Sequence, residues 1–367
     1  MNILLMTTHL NAGGITSYLV SLARGLRAQG HAVTLASSGG NRQEDFDRLG
    51  VRQIILPIKT KSEADVRIYG PLFYLAGLVK ENHIDVIHAQ TRVTQVMGCL
   101  LSRLTKKPYV TTCHGFFTPR WFRRLVPCWG DHTIAISPAV KEHLEGDFHL
   151  SPNQISVIRN GIDVADFPVI IPSLKSQKRK ARHIPGGPTV GIIARLSAEK
   201  NHLTLIDAMR YVVAAAPRVR LLIIGEGRME EALRRRVRTH ALTSHVLFFK
   251  TVNRTAEFLS LLDVFVMPST KEGLGLSVME AQAAGLPVVV SRAGGLPSLV
   301  RDGETGLLVE AGDDQALADA MLFLLRHPDQ AQDMGRRARS FIAEECSHMK
   351  MAQETIRAYQ KVLEKPS

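Results

Sequence analysis

Short β-branched runs alternate with helix-patterned stretches along most of this chain, and the alternation occurs in two blocks separated by a break. In the first block the runs stand at 3–7, 32–37, 53–57, 85–89, 109–113, 133–137 and 156–159. In the second they stand at 189–194, 220–224, 246–249, 264–267, 288–290 and 307–309. Between several of them lie amphipathic segments such as 16–29, with leucines and alanines at helical spacing. Strands joined by helices run parallel, so each block predicts an α/β unit whose sheet is covered on both faces. With 367 residues the chain also exceeds the usual size of a single core, which makes two domains the expectation.

The break falls at 166–187. From Phe167 to Gly186 there are five basic residues (Lys175, Lys178, Arg179, Lys180 and Arg182), no acidic ones and several prolines, the composition of a solvated basic linker. The organisation read from this is a first domain over 1–165, the linker over 166–187 and a second domain over 188–345. A helical tail over 346–367 is long enough to pack back on the first domain. No apolar run reaches membrane-spanning length, and the first strand follows Met1 without the basic segment of a signal peptide. Cys99, Cys113, Cys128 and Cys346 are scattered and form no CxxC pair, which argues against a disulfide framework or structural zinc and for a reducing cytoplasm. The formal net charge of +12 suits a phosphate-bearing substrate, an anionic membrane face or nucleic acid.

The richest segment is 268–290, which reads as strand end, glycine loop, helix, tight turn and strand. Gly273 and Gly275 let the backbone approach a ligand closely, and a helix starting near Leu276 turns its free amides toward that place, an anion site in the making. Glu272 in the loop and Glu280 in the helix stand apart by seven intervening residues, spaced to grip two hydroxyl-bearing parts of one ligand. After the strand at 189–194 come Arg195 and Lys200, an R-x4-K spacing. Arginine can hold phosphate oxygens bidentately and lysine adds a compact charge. Both sets belong at the C-terminal edge of a parallel sheet, where ligands of open α/β sheets bind.

Three competing motifs are weaker. Gly225-Glu-Gly227 begins like a dinucleotide fingerprint, but Glu230 stands where the third glycine belongs. Asp45-Phe-Asp47 matches a metal-holding DxD pair but lies in a polar, helix-like stretch among other charges, the pattern of a solvated face. The basic stretches carry no recognised nucleic-acid motif.

Taken together, these segments resemble the retaining GT-B glycosyltransferases of family 4. The likeness covers nearly the whole chain. It rests on Arg195, Lys200, Gly225-Glu-Gly227 and Glu272-x7-Glu280 in the second half. In the first half it rests on Gly13-Gly14, 112–116 around His114, 135–138 and 160–163. The resemblance implies a GT-B fold, two Rossmann-like domains facing across a donor/acceptor cleft. It implies that Arg195 and Lys200 neutralise the donor diphosphate, that Glu280 holds the ribose and that Glu272 contacts the donor sugar. The amides of Gly273, Leu274, Gly275 and Leu276 would lie beside sugar and phosphates, with Gly225 and Gly227 nearby. Gly14 would meet the diphosphate, and His114 the sugar's outer hydroxyl. Lys250, Thr251 and Val252 align with the base-holding segment, where the family often has a glycine. Neither a cofactor nor a metal is then expected, the donor being a UDP- or GDP-linked sugar. The region 160–187 and the C-terminal helix would be the hinge.

Two other readings stand beside transfer: a GT-B nucleotide-sugar epimerase, against which Arg195, Lys200, Glu272 and Glu280 argue, and a non-catalytic sugar-nucleotide or polyanion binder. The expected partners are a nucleotide sugar, a sugar or lipid-linked acceptor and an anionic membrane surface. That last expectation rests on 116–129, where Trp121 and Phe122 alternate with Arg120, Arg123 and Arg124, a mixture suited to a bilayer interface or a phosphorylated acceptor. The same aromatics, with Trp129, could instead pack the domain. The place of action expected is cytoplasmic, peripheral on the inner face of the membrane.

Overall fold

The computed structural model describes residues 1–60, 62, 65–119, 123, 126–169, 171–251 and 254–364. It divides into two units: 1–161 together with 346–367, and 162–345.

The first unit holds a seven-stranded sheet, every neighbouring pair parallel. Its strands are β1 (Asn2–Met6), β2 (Ala32–Ser37), β3 (Arg52–Ile55), β4 (Val86–Ala89), β5 (Tyr109–Cys113), β6 (His132–Ala135) and β7 (Ile155–Val157). The spatial order 3-2-1-4-5-6-7 reverses direction between β1 and β4. Alternation along β1 sends Ile3 and Leu5 into one apolar cluster and Leu4 and Met6 into another, so the strand is buried on both faces and reads as a continuous apolar run. The first cluster includes Tyr18, Leu22 and Leu26 from the helix Gly14–Ala28 and Met351 and Tyr359 from the helix His348–Leu363. Those two helices meet closely: a Cβ on Gly25 would stand 2.6 Å from the Ala352 Cβ. The C-terminal helix is therefore an integral layer of the first unit.

The second unit repeats the plan with six parallel strands: β8 (Thr189–Ile193), β9 (Arg220–Ile224), β10 (Val246–Phe249), β11 (Val264–Met267), β12 (Val288–Ser291) and β13 (Leu307–Val309). Their order is 10-9-8-11-12-13, with the reversal between β8 and β11. All thirteen expected strands form, with ends shifted by a residue or two.

The stretch 166–187 differs from the expected solvated linker. It contains the helix Pro172–Ala181, started by a proline at a position that needs no amide donor and finished by Lys178, Arg179 and Lys180 beside the carbonyl end of the dipole. Lys175 and Arg179 on it are structural fastenings. Lys175 Nζ lies 3.0 Å from Asp263 Oδ1, and Arg179 Nη2 lies 2.7 Å from Asp263 Oδ2 while also donating to the Leu261 carbonyl. Burial pushes the Asp263 carboxyl up, but Lys175 and Arg179 outweigh it and hold the group below the usual carboxylate range.

Candidate active site

In the second unit the sequence-predicted residues gather at the C-terminal ends of β8, β9 and β11, at the reversal of strand order. Leu196 donates to the Glu226 carbonyl at 3.0 Å, pulling the loop after β8 across the loop after β9. Only glycine permits that crossing. Gly225 has φ +149°, and a Cβ there would stand 2.0 Å from the Ala194 carbonyl oxygen; a Cβ on Gly227 would stand 2.3 Å from that of Leu196. These two glycines shape the loop that bears Arg195, whose side chain is exposed at the sheet edge.

The loop continues through a short turn, Ala198–Lys200, that ends in left-handed Asn201. Thr270 N donates to the Glu199 carbonyl at 2.9 Å, and the Lys200 ammonium forms an ion pair with the Glu272 carboxylate, so these contacts stitch the loops after β8 and β11 together. The side chains of the pair are only 21% and 14% exposed, which strengthens their attraction relative to a surface pair. Beyond Glu272 the chain turns at Gly275, φ +105°, into the helix Leu276–Ala283. Leu274 is a core anchor at 2% exposure, so its side chain is unavailable to a ligand. Glu280 lies one turn into that helix on its partly exposed side.

The floor under this loop escaped the sequence reading. Gly295 N donates to the Glu272 carbonyl at 2.8 Å, and Cβ atoms on Gly294 and Gly295 would stand 2.0 and 2.2 Å from the carbonyl oxygens of Glu272 and Gly273. The glycine pair after β12 was the available signal. Lys250 and Thr251 are exposed directly after β10, at the edge of the sheet; Val252 lies outside the described residues.

In the first unit a second cluster occupies the ends of β1, β4 and β5. Gly14 opens its helix in open space, with nothing within 4 Å of a notional Cβ. His114, just past β5, is gripped on two sides: its Nε2 is 2.9 Å from Gln90 Oε1, and its ring meets Tyr18 edge-on at 4.7 Å. Burial pushes its pKa down to about 3, so the imidazole is neutral at neutral pH. Gln90, directly after β4, is buried, and its Nε2 has no partner among the described residues. Neither Gln90 nor Tyr18 stood out in the sequence; a polar residue just past a strand end at the reversal of order is the pattern that marks Gln90.

The aromatic stretch that follows divides. Phe116 packs on His143 at 5.3 Å, Phe117 on Trp129 at 6.1 Å, and Arg123 lies over the Phe117 ring at 4.4 Å. Trp129 is buried, so it packs the domain. Arg120, Trp121, Phe122 and Arg124 lie outside the described residues. Asp45 pairs with Arg42 and Arg48, and Asp47 accepts from Gln53 at 2.6 Å; no cluster able to hold a metal occurs among the described residues.

This layout has counterparts. The family model for glycosyltransferase family 4 matches residues 12–166, and that for glycosyl transferases group 1 matches residues 175–341. The chain is a glycosyltransferase, with a family 4 domain followed by a group 1 domain. An Escherichia coli UDP-Gal:alpha-D-GlcNAc-diphosphoundecaprenol alpha-1,3-galactosyltransferase is 28% identical over 288 residues, 74% of each chain. A GDP-mannose-dependent monoacylated phosphatidylinositol monomannoside mannosyltransferase of Corynebacterium glutamicum is 27% identical over 91% of each. Among solved structures, Anabaena HepE in complex with UDP and glucose superimposes with a TM-score of 0.86 at 21% identity, covering 98% of this chain and 100% of the other. The fold of this glycosyltransferase is thus GT-B. Its two clusters each stand where the strand order of a sheet reverses.

Proposed function

We propose that this glycosyltransferase moves a hexosyl group from a nucleoside diphosphate sugar to an acceptor hydroxyl with retention, in the synthesis of a cell-envelope polysaccharide, lipopolysaccharide or glycolipid. The observation that carries the reading is the placement of Lys200 and Glu272 as partners on adjoining loops, beside Arg195 and the start of the helix Leu276–Ala283. Negative charge builds on the departing diphosphate, and two cations with a helix N-terminus are aimed at it without need of a metal. Glu272 is left to the sugar once Lys200 turns to the phosphate. The bond from the anomeric carbon to the phosphate oxygen breaks while the acceptor oxygen bonds to the same face of that carbon. The acceptor's proton passes to a phosphate oxygen of the donor, so no enzyme nucleophile is required. Neutral His114 donates or accepts a hydrogen bond at the sugar's outer hydroxyl. HepE binding UDP and UDP-glucose and the GDP-mannose-dependent relative support a donor of either base.

The test has two stages. A thermal-shift screen over UDP-, GDP- and ADP-sugars finds the donor, since a ligand at a hundred times its dissociation constant stabilises by ~2.7 kcal/mol. Release of nucleoside diphosphate with and without lipid-linked or soluble acceptors then separates transfer from epimerisation and from silent binding. No shift with any nucleotide sugar overturns the proposal.

We further place the site of action on the cytoplasmic membrane face. No helix among the described residues is long and apolar enough to cross a membrane. The first unit does expose Val66 and Phe73 at 80% each, with Tyr69 and Tyr74 close by in sequence, on a chain of charge +12. Flotation with anionic liposomes checks this; wild-type protein that stays in the soluble fraction at low salt removes it.

A further inference from the structure

Four buried polar side chains run in a line through the first unit. Tyr359, on the C-terminal helix, has its hydroxyl 2.6 Å from His88 Nδ1; His88 Nε2 is 2.7 Å from Thr112 Oγ1; and Thr112 Oγ1 is 3.2 Å from the Tyr18 hydroxyl. All four are completely removed from solvent. The sheet register creates the central link. His88 of β4 pairs with Val110 of β5, which makes Thr112 its diagonal neighbour on the same face, the face that the helices Gly14–Ala28 and His348–Leu363 cover.

Burying four polar groups gains no stability over an apolar core of the same shape. What a satisfied polar line supplies is a fixed geometry, because each hydrogen bond dictates a rotamer. The line ends on Tyr18, and the Tyr18 ring is the wall against which His114 rests; Gln90 holds Nε2 of that imidazole. Tyr18 also sits one turn beyond Gly14 on the same helix. One line of bonds therefore fixes both the histidine and the helix start that the proposed reaction uses.

We propose that Tyr359 and His88 are positioning residues for His114, acting in series through Thr112 and Tyr18, so that the C-terminal helix sets the geometry of the reaction centre. The inference rests on the placement of His114 at the transferred sugar.

The series arrangement has a signature that bulk stability lacks. Tyr359→Phe and Tyr18→Phe keep both rings and remove one hydroxyl each, so both variants fold. Each is expected to lower kcat on the order of ten-fold with donor KM unchanged, as for a reacting group held slightly out of place. The double variant is expected to be no slower than either single one, since a line cut once carries nothing further. His88→Gln, which keeps a polar atom toward Thr112, is expected to retain more turnover than His88→Leu. The assay is nucleoside diphosphate release from UDP-glucose and GDP-mannose, run beside His114→Ala. Wild-type kcat in Tyr359→Phe, or multiplying losses in the double variant, overturns the series mechanism while leaving glycosyl transfer intact. Wild-type turnover in His114→Ala overturns the underlying placement of His114 and the inference with it.

Discussion

Lys200 and Glu272 face each other across the reversal point of the second sheet, one on the loop after β8 and the other on the loop after β11. On the proposed reaction, the cation that would serve the phosphate and the carboxylate that would serve the sugar neutralise each other until a ligand separates them. This spares each the cost of a lone, largely buried charge.

Removing one partner should expose that cost. Lys200→Ala is expected to lower turnover on the order of 10²–10³-fold, the scale for one donor to a developing anion. It should also lower the melting temperature, because Glu272 is left largely buried without its partner. The double variant Lys200→Met/Glu272→Gln should regain the melting temperature and remain as slow. Calorimetry beside steady-state kinetics at saturating donor checks both; full turnover in Lys200→Ala would remove it from the leaving group.

Gly294→Ala should damage the same loop from beneath. Gly294 has φ +54°, and an added Cβ would press on the Glu272 carbonyl oxygen. The substitution is expected to weaken nucleotide-sugar binding at least about ten-fold, combining left-handed strain of ~1–2 kcal/mol with a displaced Glu272. Titration calorimetry measures it. Unchanged affinity would mean that the loop position is irrelevant to the donor.

Activity should survive excess EDTA, and Asp47→Ala should leave it unaltered, since Asp47 is spoken for by Gln53 on the surface. Dependence on added manganese or magnesium that vanishes in Asp47→Ala would reverse the assignment of the diphosphate charge to Arg195 and Lys200.

Acid should loosen the first unit. Burial pushes His88 down to about 3 from its ordinary 6.5, so the folded state holds it neutral where the unfolded chain would protonate it. The unfolded state then binds more protons, and stability that is complete above pH 6.5 is lost as pH falls toward 3, by about 1.4 kcal/mol per pH unit for this group. His114 shifts in the same direction, also from burial. Melting curves between pH 7.5 and 5 are expected to fall, and to fall less in His88→Gln. A flat profile would contradict a neutral buried imidazole.

The sheets were legible because buried parallel strands are written as compact apolar runs, as in β1, whose residues face a core on both sides. That Arg195, Lys200 and Glu272 stand at strand ends was legible because loops at strand ends carry local spacing. What stayed hidden depended on partners far away in sequence. The helix Pro172–Ala181 looks like a polar linker because its fastening, Asp263, lies more than eighty residues downstream. The role of Gly294 appears only once the Glu272 backbone is laid over it. His88 and Tyr359 share no local pattern, and their contact spans 271 positions.

The first unit is left at residue 161 and resumed at 346, and the two crossings lie side by side: a Cβ on Gly161 would stand 2.5 Å from the His348 Cα. In effect the second unit is an insertion into the first. During synthesis, the groove beside Gly25 and the hydrogen-bond position on His88 must wait until the last helix emerges, after the whole inserted unit has been made. A chain stopped at 345 would accordingly carry an intact second unit and a defective first one. Because exit and re-entry adjoin, joining 161 to 346 by a short bridge should give a free-standing first unit that still contains Tyr359.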